Sequence, residues 1–381
     1  MPPATLLAIG YAPGPRVQPV TRLYVAAGGG GDSLAAAIIH TATSTEPAHI
    51  ATLAWDRLLI DPLPGPRSPS DFTGLRRLGE HVTTITSDTR PIPPAGSTLP
   101  RLAAEIDATL VLLDPTGGAT GLRTQLRELA SSLAAPRAEI IDVGGDALAH
   151  GDEPGLRSPL ADALALSACQ DIGIPVDVLI AGPGLDGEIP EDQVLARAGD
   201  RIATRLHRAD AERHAHVFDW HPSEATALLA AAARGARGTA EIRDGGLPVA
   251  LTEHSSDVHR LALTRALAIN TPAQALRHTT SLHQAEETMR TLCGFSEIDY
   301  ERAKATRTPP AGPTAITKDI DDEARAYERD AAARGIDFLT FRRLAEVLNL
   351  SATMTGHLRA HLIATRPAHH LPPIWATRPI R

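Results

Sequence analysis

The chain has 381 residues, 43% of them hydrophobic and only 3% aromatic, with 37 Lys and Arg against 45 Asp and Glu for a net charge of −8. That length suits a large domain with an appendage, or two domains, around a core packed mainly from aliphatic side chains. The acidic balance argues against a protein that holds nucleic acid on a basic surface, and two cysteines cannot build a disulfide framework.

Residues 1–20 are proline-rich and without periodicity, and read as an irregular arm. No basic region followed by an apolar run opens the chain, and no stretch nears the ~18 apolar residues of a membrane span. We therefore expect a cytoplasmic protein without a membrane segment. Arg22–Ala27 reads as a strand, Gly28-Gly29-Gly30-Gly31 as a turn, and Ser33–Thr43 as a helix beginning just after Asp32. A turn of this kind lets the backbone approach a ligand, and the following helix aims free N–H groups at it.

His49–Trp55 is a second strand, ending on Asp56, and the Pro/Gly/Ser-rich loop from Pro62 to Ser70 is a candidate lid. Val82–Ile85 is a strand, Leu99–Ile106 a helix, Thr109–Leu113 a strand ending on Asp114, and Gly121–Ala134 a helix. Ala138–Ile141 is a strand ending on Asp142, Ser158–Gln170 a helix, and Val176–Ile180 a strand that runs into Gly182-Pro183-Gly184. These strands are continuous apolar runs, the pattern of a parallel sheet covered on both faces. The expected fold is α/β: a doubly wound, mostly parallel, Rossmann-like sheet with a helical C-terminal region.

Beyond Pro190 we expect helices at Glu191–His207 and Pro222–Arg234, then a hairpin of Thr239–Arg243 and Pro248–Thr252 around Asp244-Gly245-Gly246. Further helices are expected at Asp257–Leu267, Pro272–Leu292, Glu297–Arg307 and Asp319–Ala333. Thr340–Leu362 has the cadence of a helix-turn-helix whose Arg342, Arg343, Arg359 and His361 could meet phosphates. The same spacing fits a helical pair packed on the main domain, which is the reading adopted. Trp375 would anchor the proline-rich tail. The domain plan is thus an arm at 1–20, an α/β domain with hairpin and helical extension at 21–310, and a helical appendage with tail at 311–381.

Four glycine-containing turns follow strands: Gly28 to Asp32, Asp114 to Gly118 with Gly117, Asp142 to Asp146 with Gly144 and Gly145, and Gly182 to Glu188 with Gly184. Ligands bind outside the carboxyl ends of parallel strands, so the four turns are expected to share one site. Asp142, Asp146, Asp186 and Glu188 are the candidate catalytic groups. Crowded carboxylates raise one another's pKa for acid/base work, or else hold Mg²⁺ or Mn²⁺. Gly28, Gly29, Gly30, Gly31, Asp32, Asp56, Gly117, Gly144, Gly145 and Gly184 are the candidate cofactor-binding residues.

The first turn matches Gly-x-Gly-x-x-Gly except at Ser33, with Asp56 placed as a ribose-binding acid. It also fits an S-adenosylmethionine loop whose usual acid is replaced by Ala26, or a plain phosphate or carboxylate cradle. A Walker A loop is excluded, because the only lysines are Lys304 and Lys318. His214-x-His216 with His221, and His369-His370, are the densest histidine groups; His214 and His216 would share a face on a strand, but no zinc pattern surrounds them.

Gly28 to Asp32, Asp142-Val143-Gly144-Gly145-Asp146, Arg157-Ser158-Pro159-Leu160-Ala161-Asp162 and Gly182 to Glu188 together resemble the DUF1152 proteins of archaea and actinobacteria. The hairpin from Arg243 to Thr252 and the segment Thr291 to Lys304 resemble that family's C-terminal half. The resemblance covers about 20–307. It implies a Rossmann-like domain and no defined activity; actinobacterial members often look like parts of biosynthetic gene clusters.

The expected function is a small-molecule tailoring enzyme, a transferase or a lyase/cyclase, binding a nucleotide or another anionic metabolite at the turns. Alternatives are a metabolite-sensing regulator with the 340–362 helices as reader, and a non-catalytic subunit of a biosynthetic complex. The expected partner is a small-molecule substrate, with a homo-oligomer or a biosynthetic protein as further options.

Overall fold

The computed structural model describes residues 21–306 and 315–380. The expected arm at 1–20 and the first residues of the appendage, 311–314, lie outside them.

The N-terminal half runs β1 (Arg22–Ala26), α1 (Gly30–Thr43), β2 (Ala48–Leu53), the short edge strands β3 (Arg76–Arg77) and β4 (Thr83–Ile85), α2 (Leu99–Glu105), β5 (Thr109–Leu113), α3 (Gly118–Ser132), β6 (Ala138–Val143), α4 (Pro159–Ala168) and β7 (Val176–Ala181). Then follow α5 (Glu191–Ala198), β8 (Ile202–Arg205), α6 (Arg208–Arg213), α7 (Glu224–Ala233), β9 (Gly238–Ile242), β10 (Leu247–Leu251) and β11 (Asp257–Ala262). The helices α8 (Leu263–Ile269), α9 (Thr271–Leu276), α10 (Leu282–Cys293) and α11 (Glu297–Ala305) close this part. The C-terminal part holds α12 (Lys318–Ala333), β12 (Phe338–Leu339), α13 (Phe341–Val347), α14 (Ala352–Thr365), β13 (His370–Leu371) and β14 (Ile374–Ala376).

Among the described residues, a nine-stranded sheet has the order β8-β11-β7-β6-β1-β2-β5-β4-β3. Its five central strands, β7-β6-β1-β2-β5, pair in parallel, and the strands outside them pair antiparallel. Strand β1 explains the apolar runs. Leu23 and Val25 enter the core beneath α3 and α4, while Tyr24 and Ala26 enter the core beneath α1 and α7. Both faces of the strand are dry, so alternation would leave polar groups buried without partners. A mixed α/β fold with a large, mostly parallel central sheet is the result.

Three expected helices are not helices throughout. Glu191–His207 breaks at Gly199, which takes a left-handed φ of 80°, and Ile202–Arg205 becomes the edge strand β8. Asp257–Leu267 begins as β11, which pairs antiparallel with β7 before turning into α8. Arg205 fastens the two strands by donating Nη2 to Asp257 at 3.0 Å. These are non-local pairings, which local helix propensity cannot anticipate. Pro272–Leu292 is split into α9 and α10, and His214 follows α6 as its cap, so His214 and His216 share no strand.

The hairpin forms as expected, β9 against β10, in a second sheet of order β10-β9-β12-β14-β13. The C-terminal helices pack on their own small core with Trp375 fully buried, its Nε1 donating to Glu328 at 2.9 Å. The side chains named for phosphate contact are engaged inside the protein. Arg342 donates to the Pro222 carbonyl, Arg343 to Glu241, Arg359 to the Phe218 carbonyl and Asp219, and His361 lies 3.4 Å from Asp321. Among the described residues, no helix is long and apolar enough to cross a membrane.

Candidate active site

A cavity of about 880 Å³ lies over the carboxyl ends of β1, β2, β6 and β7. These four strands are adjacent in the sheet, so turns from residues 27, 54, 144 and 182 onward meet on one rim. Helix α11 crosses it, and α13, α14 and the turn between them cover it with Arg342, Ala345, Leu350 and Thr355.

The floor is acidic. Asp32, Asp142 and Asp162 each present a carboxylate oxygen, and the three oxygens lie within 4.8 Å of one another. Asp146, Asp186 and Glu188 line the same space. Asp32 enters from the first turn of α1 and accepts the Gly28 N–H at 2.5 Å. A Cβ on Gly28 would meet that carboxylate at 2.8 Å, so a larger residue would push Asp32 out of its present position. Asp142 stands on β6 and accepts the Ala147 N–H at 3.0 Å. Asp162 projects from α4, and its Oδ1, like Asp146 Oδ1, is buried without a hydrogen-bond partner.

Burial is the main reason these carboxyls resist ionisation. It pushes Asp32 up to about 7 against the N–H groups of Gly28 and Val143. Burial, then the charge of Glu188, pushes Asp186 up to about 7. Asp142, Asp146 and Asp162 are driven well above the carboxylate range by burial and then by neighbouring carboxylates, Asp32 acting on Asp142, Glu188 on Asp146 and Asp142 on Asp162. Such a floor repels an anion and favours a cation. The first turn therefore differs from the expected anion cradle: the Gly28 N–H holds the chain's own Asp32.

The other candidate residues separate into groups. Gly30, Gly31 and Asp56 line the cavity with Gly28. Gly29, Gly144, Gly145 and Gly184 do not line it; a Cβ on Gly144 would meet the Asp186 carboxylate at 2.1 Å, and on Gly184 the Glu191 N–H nitrogen at 2.9 Å. These glycines let neighbouring turns lie close together. Gly117 is outside the site altogether. Asp114 caps its own turn by accepting the Thr116 N–H, and Thr279 binds the next residues, its hydroxyl accepting the Ala119 N–H and its carbonyl the Thr120 N–H. The expectation that four turns share the site is corrected to three.

Two carboxylates have structural duties that their types did not reveal. Glu188 accepts N–H groups of Arg157 and Ser158 at 2.5 and 2.9 Å and the Ser158 hydroxyl at 2.6 Å, so it fixes the entry to α4. Asp56, expected to face a ribose, accepts the Thr98 N–H at 3.0 Å, the Thr98 hydroxyl at 2.6 Å and the Ser97 hydroxyl at 3.1 Å. It anchors the start of α2. Asp56→Ala is expected to destabilise the fold by about 1–3 kcal/mol, as urea unfolding would report, because it leaves buried donors unpaired.

Several lining residues escaped the sequence reading. Asp162 lies in the motif Arg157 to Asp162, but nothing local marked it as facing the strand ends. Glu297 and Glu301 arrive from α11; Glu301 accepts the Trp55 indole N–H and the Gly65 N–H, which also fastens the expected lid loop. His221 is buried, its Nδ1 accepts the Ser223 N–H at 3.3 Å, and its Nε2 has no partner. Burial, then Arg342, lowers it to about 3, so the ring is neutral and presents an Nε2–H donor to the cavity beside Gly30.

A comparison with curated proteins and one with solved structures each found no match. The family model described as "Protein of unknown function (DUF1152)" matches residues 23–305. That span runs from β1 to the end of α11 and contains every carboxylate of the cavity floor, and the chain belongs to the DUF1152 family.

Proposed function

We propose that the protein is a divalent-metal-dependent enzyme of small-molecule biosynthesis, a transferase or a lyase, acting on an anionic metabolite. Asp32, Asp142 and Asp162 hold Mg²⁺ or Mn²⁺, the cations that suit an all-oxygen donor set. The observation that carries this reading is their convergence within 4.8 Å from three separate elements, with Asp162 Oδ1 left unpartnered. A cation there offsets the burial, and the repulsion that adds to it, that keep these carboxyls protonated. Asp146, whose Oδ1 is also free, exchanges a proton with the substrate, and Asp186 beside it tunes that exchange. The sheet is read as Rossmann-like, with the ligand at its carboxyl edge, and the setting as cytoplasmic.

A thermal-shift panel of Mg²⁺, Mn²⁺, nucleotides and S-adenosylmethionine tests it. Stabilisation by the divalent ions, larger still with a nucleotide present, is expected. Stabilisation by S-adenosylmethionine with no response to either ion would reject the metal reading. Asp146→Ala is expected to keep the ion response and lose turnover of the substrate that the panel identifies.

A further inference from the structure

The cavity that holds the acidic floor also presents two guanidinium groups that donate no hydrogen bond among the described residues. Arg57, just past β2, keeps 46% of its side chain exposed, and its carboxylate neighbour Glu297 is 3.9 Å away, too far for a hydrogen bond. Arg157 is fastened by its backbone N–H to Glu188, yet its side chain makes no hydrogen bond or ion pair among the described residues. The other cations of this wall are engaged: Arg243 by Glu224 at 3.0 Å, Lys304 by Asp244 at 2.5 Å, and Arg342 by the Pro222 carbonyl at 2.9 Å. Both side chains line the same cavity, as does Asp244, whose carboxylate lies within electrostatic reach of each.

We infer that Arg57 and Arg157 form an anion subsite for a phosphate group, so that the substrate is a phosphate ester held between this pair and the cation on Asp32, Asp142 and Asp162. This deepens the metal-enzyme reading and rests on it for the far end of the ligand. Two guanidinium groups whose N–H donors are free match a phosphate monoester, which carries about −1.5 to −2 and offers three acceptor oxygens, better than a single carboxylate. The guanidinium fork also matches phosphate oxygens two at a time. The location replaces the glycine turn as the place where the anion sits, since Asp32 already occupies the Gly28 N–H.

Isothermal titration of the full chain with inorganic phosphate, with and without Mg²⁺, tests the subsite. Arg57→Gln and Arg157→Gln are each expected to weaken phosphate binding about tenfold to a hundredfold, the usual range for a lost charged hydrogen bond. Arg157→Lys should recover part of the loss, because it restores charge without the fork. Mg²⁺ binding measured without phosphate, and a cooperative melt, should persist in all three. Unchanged phosphate affinity in both Gln variants would overturn the inference, as would acetate binding as tightly as phosphate. Phosphate binding that persists in chelator but falls in both variants upholds the subsite while removing the metal reading. Mg²⁺ binding with no phosphate binding removes the subsite alone.

Discussion

Raising the pH of the metal-free protein from 6.5 to 8.5 is expected to lower its melting temperature by several degrees. The sign follows from the cavity floor. Asp32 and Asp186 titrate near 7 in the folded chain against 3.8 in the reference state, and Asp142, Asp146 and Asp162 lie well above the carboxylate range. The folded state thus binds more protons than the unfolded state, and its stability falls as pH rises until these carboxyls ionise. Each group contributes up to ~1.4 kcal/mol per pH unit while that difference lasts. Buried histidines act in the opposite direction at lower pH: His221, held near 3, and His370, held near 4, lose stability as the unfolded imidazoles protonate. That contribution fades above pH 6.5, the ordinary imidazole value, and is gone by about pH 8, so the carboxyls set the sign across 6.5–8.5. Adding Mn²⁺ should flatten the slope, because the ion replaces the protons. A flat or rising melting temperature in chelator would mean that the native carboxyls do not retain their protons, and the electrostatic account of the floor would fail.

Asp162→Asn should move binding and stability in opposite directions. The amide has nearly the same shape but no charge, so it removes one ligand and one source of repulsion. Affinity for Mn²⁺ is expected to fall by about a hundredfold, at the top of the range for losing even an outer partner of a metal site. The metal-free variant should melt higher than the parent at pH 8, since Asp142 and Asp32 lose a like-charged neighbour. A residue kept for the fold would do the reverse. An Asn variant that is less stable and still binds Mn²⁺ would assign Asp162 to structure. Calorimetry and a manganese titration on the same preparation decide between the two.

Much of the sheet was legible because its strands obey a local rule. Tyr24, Val25, Ile50, Ala51, Leu110, Val111, Ile140 and Ile141 are apolar without alternation, and burial on both faces is the reason. The Asp-Gly hairpin was legible for an equally local reason, as Asp244 and Gly245 adopt the positive φ values that the turn demands. Strands β8 and β11 were not legible. Ile202–Arg205 extends because it finds Asp257–Ala262, which in turn pairs with β7.

The candidate site divides along the same line. That Gly28, Asp32, Asp142, Asp146 and Asp186 stand at strand ends is written in the chain, because a strand that ends in a glycine turn must deliver its next acid to the sheet edge. Sequence alone therefore determined the carboxylate-bearing edge and the mostly parallel sheet beneath it. Which edge residues face the cavity was decided only by packing. Thr279 seals the turn at Gly117, Ser97 and Thr98 draw Asp56 to α2, and the N–H groups of Arg157 and Ser158 take Glu188. Asp162, His221, Arg57 and Arg157 enter the site through contacts between distant segments, as do the covering side chains of α13 and α14. Local sequence sets where a side chain starts, but its hydrogen-bond partners set where it ends, and those partners are supplied by the folded chain as a whole.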